Sequence, residues 1–134
     1  MRRLLPFAAI LALVATLSAA AIGGSGPRRH GSRPGLRLSG HVSGLMPGQH
    51  ARLTIHVENR LRRVVHLRSV RTTVRAAAHG CSGKNLVVAA FRGRLRIRPG
   101  RSARVTVSVR MRRDSPSACQ GRVFPLTFMG QASA

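Results

Sequence analysis

The sequence predicts an all-β fold, a two-sheet antiparallel β-sandwich of seven or eight short strands. Three observations carry that expectation. Apolar and polar residues alternate with period two through most of residues 36–128. Turn-forming clusters interrupt the alternation roughly every 8–12 residues. No helical apolar period follows residue 21. Alternation on one face suits two facing sheets, each burying one side and wetting the other. A closed barrel would give the same pattern and stays open at this point.

Taken in order, the first strand sets Leu36, Leu38 and Val42 on one side and Arg37, Ser39 and His41 on the other. Met46-Pro47-Gly48 is a turn. Leu53, Ile55 and Val57 then point inward, with Arg52, Thr54, His56 and Glu58 outward. A second turn spans residues 59–62, after which Val65 and Leu67 resume the inward side. The inward set next changes parity, to Val70, Thr72 and Val74, which requires a bulge or a break between two strands. A Gly- and Ala-containing loop over residues 76–85 holds Cys81. Residues 86–91 read as one short apolar strand, followed by Leu95 and Ile97 inward with Arg94, Arg96 and Arg98 outward. Pro99-Gly100 turns the chain. Val105, Val107, Val109 and Met111 make the clearest strand, and a polar loop with Cys119 leads to Phe124, Leu126 and Phe128. Pro125 cannot donate to a ladder, so that last strand lies on an edge or begins near it.

The N-terminus reads as an export signal. Arg2 and Arg3 precede an apolar run over residues 4–17, and Ser18-Ala19-Ala20-Ala21 supplies small residues for cleavage. The run is shorter than the roughly 20 residues of a spanning helix, which disfavours an uncleaved anchor. The expected organisation is a signal helix over residues 1–21, a flexible basic linker over 22–35 and a β-sandwich domain over 36–134, secreted or held at the cell envelope. In an oxidising compartment the two cysteines, Cys81 and Cys119, read as a disulfide. A free nucleophile or metal pair lacks support, because no CxxC spacing or His–Cys cluster accompanies them.

The residues resemble a family at this point. Ser43-Gly44-Leu45-Met46-Pro47-Gly48 followed by Leu53-Thr54-Ile55-His56-Val57-Glu58-Asn59 looks like the opening of small secreted immunoglobulin-like proteins of high-GC bacteria. Cys81 with Asn85-Leu86-Val87-Val88, Ile97-Arg98-Pro99-Gly100, and Ala118-Cys119-Gln120-Gly121 with Phe124-Pro125-Leu126-Thr127-Phe128 extend the resemblance over about residues 40–132. It implies an immunoglobulin-like sandwich, export and a disulfide, and it implies no activity. The chain departs from the pattern at Asn59-Arg60, where such proteins tend to have Asn-Pro, and in its arginines, where they tend to have Thr or Ser.

Charge bounds the function. The 134 residues carry 24 Lys+Arg, all arginine but Lys84, against 2 acids, a formal charge of +22, and 43% are apolar. Removal of the leader would take away only Arg2 and Arg3. An apolar share of that size supports a core, so the chain is not a disordered basic tail. With Glu58 and Asp114 as the only carboxylates, paired acid–base chemistry has no residues to use. No motif places a Ser-His-Asp arrangement. His41, His56 and His66 read as isolated surface histidines in a field that repels divalent cations. The expectation is therefore no enzyme, no cofactor, no metal and no small-molecule substrate.

GC-rich coding accounts for arginine over lysine; it does not account for the missing acids. Arg94, Arg96 and Arg98 recur every second residue, about 6–7 Å apart along a strand face. Arg104 and Arg110 ride another strand, and Arg68 and Arg75 flank the parity change. Guanidinium forks grip phosphate, sulfate or carboxylate bidentately. These seven arginines are the candidate contacts for a polyanion, and outside a membrane that means anionic cell-wall polymer or membrane headgroups. Nucleic acid is disfavoured, because the three Phe beyond residue 21 are assigned to the core and leave no platform for stacking bases. A protein–protein interaction or assembly module that uses a sheet edge is the alternative.

Overall fold

The computed structural model describes residues 35–134, so the expected leader and residues 22–34 of the expected linker lie outside the described residues. Seven strands form: β1 (Leu36–Ser39), β2 (His50–Asn59), β3 (Val65–Val74), β4 (Leu86–Val88), β5 (Phe91–Ile97), β6 (Ser102–Met111) and β7 (Leu126–Ser133). They assemble into two antiparallel sheets, one ordered β1-β2-β6-β4 and the other β5-β3-β7. Every connection after β2 carries the chain from one sheet to the other.

The β2–β6 ladder is the longest, running from His50 opposite Arg110 to Glu58 opposite Ser102. Its alternation sorts Leu53, Ile55, Val57, Val105, Val107 and Val109 to the inside, where they are buried, and leaves Arg52, Thr54, Arg104 and Arg110 exposed. Val65, Leu67, Val70, Ile97 and Phe128 come from the other sheet into the same core. Burial of each such side chain stabilises the fold by about 1.5–3 kcal/mol relative to exposure, before conformational entropy is counted.

The parity change lies within one continuous strand. Leu67 faces Ala132 and Ser69 faces Gln131, so Arg68 is the extra residue of a bulge opposite β7. Val65 and Leu67 are buried before it and Val70 after it. Both proline–glycine turns form as expected. Gln49 N–H donates to Met46 O at 3.0 Å, and Arg101 N–H to Arg98 O at 3.1 Å. The second central residues, Gly48 and Gly100, take φ of +82° and +65°, the left-handed region that a type II turn with proline ahead of it requires.

Two boundaries differ from expectation, and the last strand begins where Pro125 allows it. Residues 86–91 are not one strand: β4 ends at Val88 in the four-stranded sheet, the chain crosses at Ala89-Ala90, and Phe91 opens β5 in the three-stranded sheet. A continuous apolar run has no period to mark such a crossing. The first strand stops at Ser39; Gly40 passes so close to the Thr54 carbonyl that a Cβ would lie 2.9 Å from it, and Val42 and Leu45 then reach the core from a loop. The last strand starts immediately after Pro125 and continues to Ser133, with Phe124 buried just ahead of it.

Candidate polyanion-binding surface

The strand FRGRLRI explains half of the surface. Leu95 and Ile97 face inward against Leu67 and Val65, so Arg92, Arg94 and Arg96 are set on the outer side of β5. β3 lies beside it at about the 4.8 Å spacing of neighbouring strands. There His66 stands opposite Arg96 and Ser69 opposite Arg92. The bulge turns Arg68 to the same outer face, and the shifted parity beyond it brings Arg71 out as well. Arg68, Arg71, Arg92, Arg94 and Arg96 are all exposed. β7 completes the face with Thr127, Met129 and Gln131, and Ser69 Oγ donates to Gln131 Oε1 at 3.1 Å. No carboxylate stands on this face.

The opposite face belongs to the four-stranded sheet. Arg104 is paired with His56 and Arg110 with His50 across the β2–β6 ladder, Arg52 with Ser108, and Arg37 with Glu58 across β1–β2. These arginines are exposed too, but hydroxyl residues separate them: Thr54 faces Thr106, and Ser39 faces His56.

The seven expected contact residues therefore do not form one surface. Arg68, Arg94 and Arg96 share the outer face of the three-stranded sheet, whereas Arg104 and Arg110 lie on the other side of the molecule. Arg75 and Arg98 sit just past the ends of β3 and β5; the Arg75 N–H is held by Pro125 O at 2.9 Å. Arg71 and Arg92 were not among the seven and belong to the dense face. Arg92 has the parity of Arg94 and Arg96. Arg71 has outward parity once Val70 and Thr72 are read as inward, so both were open to the same argument. Sheet membership was not open to it.

Both acids are engaged within two residues. Arg60 Nε meets Glu58 Oε1 at 3.1 Å, and Arg112 grips Asp114 with two hydrogen bonds of 2.9 and 2.8 Å. The hydrogen bond from Arg112 holds the Asp114 carboxyl below the usual carboxylate range, and the same contact raises the Arg112 guanidinium. These exposed pairs leave the arginines of the three-stranded face uncompensated. Among the described residues no three His, Cys, Asp or Glu side chains come together as a metal site. A half-open cavity of about 310 Å³ lies at one end of the domain, between Leu36, Leu61, Val65 and Ala132, with Arg63 at its lining.

The frame behind the surface is held at two points. Cys81 and Cys119 form a disulfide, with Cα atoms 5.1 Å apart, tying the β3–β4 loop to the β6–β7 loop. At the other end Asn59 is wholly buried. Its Nδ2 donates to Arg63 O at 2.8 Å and Ile97 O at 3.0 Å, and its Oδ1 accepts from Leu61 N–H at 3.0 Å. The bond to Ile97 O anchors the end of β5 that carries Arg96.

No family model, curated protein or solved structure matches the chain.

Proposed function

We propose that this chain is an exported, non-enzymatic immunoglobulin-like domain that associates electrostatically with anionic polymers of the cell envelope. The observation that carries the reading is the outer face of the three-stranded sheet, where five exposed arginines stand together without a carboxylate. The immunoglobulin-like assignment is supported by the arrangement of pairs: β2 with β6 in one sheet, β3 with β7 in the other, joined by crossing connections. The disulfide is consistent with an extracellular location, and the leader-like residues 1–21 supply the route.

The test is retention of the disulfide-bonded protein by bacterial envelopes, intact and stripped of anionic polymer, across a salt series. Retention is expected to vanish on stripping and to fall steeply with salt. R92Q/R94Q/R96Q should lower affinity at least about tenfold at physiological salt. The matching lysine variant, which keeps charge and loses the guanidinium fork, should lie between. Equal retention by all three proteins sinks the reading.

One observation favours a second reading. β7 is eight residues long and carries no charge, and it is the last strand of its sheet among the described residues, so its 126–131 stretch offers an edge for another protein's strand. Retention that survives both stripping and high salt would select it.

A further inference from the structure

The strand arginines of this domain stand on two opposite faces, and a planar ligand, or a polymer segment no longer than one face, can meet only one of them. We propose that the domain is a bivalent cross-linker, binding one linear phosphate-rich polymer on each outer sheet face and so bridging two polymer chains. The inference rests on the polyanion reading above and adds to it a stoichiometry and a consequence.

Geometry and screening carry the argument. The dense face presents Arg92, Arg94 and Arg96 along β5, with Arg68 and Arg71 beside them. The second presents Arg52, Arg104 and Arg110 on β2 and β6, with Arg37 on β1. Stacked sheets lie about 10 Å apart, and the outward side chains widen the separation between the two sets of charge. The Debye length at physiological ionic strength is about 8 Å. A polymer on one face therefore leaves the other's charge largely unscreened by its own phosphates. A rigid two-layer body with a net positive charge on both sides cannot fold its faces together onto one short polymer segment.

The faces should differ in strength. On β5 three arginines recur every second residue, matching a linear polymer laid lengthwise. On the other sheet Ser and Thr dilute the arginines, and Glu58 stands at one end, already held by Arg60. The three-stranded face is thus the tighter of two sites. A membrane is a poorer occupant, because one bilayer engages one face and leaves the other without a ligand.

The experiment uses the disulfide-bonded protein and inorganic polyphosphate. A short oligophosphate, no longer than one sheet face, reads stoichiometry by calorimetry; long polyphosphate reads bridging by light scattering. Three triple variants remove equal charge: R92Q/R94Q/R96Q, R52Q/R104Q/R110Q, and R62Q/R101Q/R113Q in exposed turns. The wild type and the turn variant should bind two oligophosphates and scatter strongly with long polymer. Each face variant should bind one and lose most of the scattering, and the variant altered on β5 should show the weaker remaining site. Matched thermal unfolding of the three variants checks that they fold. One oligophosphate per wild-type protein, or equal loss of scattering in all three variants, overturns bivalence while leaving polyanion binding intact. Absence of oligophosphate binding by any form overturns the polyanion reading itself, as does binding confined to anionic phospholipid vesicles.

Discussion

Two backbone carbonyls and one backbone amide converge on the side chain of Asn59, the only polar residue buried among the described residues. Its own backbone extends the junction, since Asn59 N–H donates to Arg101 O and Gly100 N–H donates to Asn59 O, each at 2.9 Å. One residue thus joins the β2–β3 turn to the β5–β6 turn. Asn59→Ala would leave three groups without partners, and Asn59→Asp would aim acceptors at acceptors. The alanine variant is expected to lose about 2–4 kcal/mol in urea unfolding, the aspartate variant more. Thr72 is the opposite case. It faces inward on β3, and its Oγ1 has no hydrogen-bond partner among the described residues. Thr72→Val keeps the shape and removes a hydroxyl that burial penalises, so it should raise stability by up to about 1 kcal/mol. A loss on this substitution would show that the hydroxyl is satisfied in solution. Sequence periodicity located both side chains on the inward side, or at a strand end, but could not say what they would meet there.

At the scale of elements, the β3 bulge and the disulfide do different work. The bulge at Arg68 lets one strand contribute Leu67 and Val70 to the same core, and it sends two neighbouring residues toward solvent. This was legible as a parity change, because a half-buried strand repeats every two residues and an insertion must show. The disulfide closes a separation of 38 residues between two loops that no ladder joins. On the chain-entropy account its removal costs about 4 kcal/mol. C81S/C119S should therefore shift the urea midpoint well below that of the wild type, with m increased if the unfolded chain expands. An unchanged midpoint would mean that the loops are held without the bond. The crossing at Ala89-Ala90 was not legible, since a run of apolar residues reads alike whether it stays in one sheet or passes between two.

For the whole molecule, like charge on both faces opposes compaction. Added salt should therefore stabilise the free protein while weakening the proposed hold on a polyanion. Raising NaCl from about 10 to about 150 mM is expected to raise Tm by a few degrees, measured by thermal unfolding without ligand. A fall in Tm over that range would mean that the exposed pairs at Glu58 and Asp114 outweigh repulsion among the arginines. The opposed salt responses of stability and binding separate a screened fold from a screened interface.

That this chain is built of strands, which residues face inward on most of them, where the proline–glycine turns fall and that the surface is overwhelmingly cationic all follow from the order of the residues. Each of these is a local property, set by period-two alternation, by the φ that proline and glycine allow, or by composition. Which sheet each strand joins is a matter of long-range pairing, and it sets Arg94 and Arg104 on opposite sides while Arg71 and Arg92 belong together. Strand pairing brings together residues far apart in the chain, and alternation alone reports inside or outside without naming the sheet.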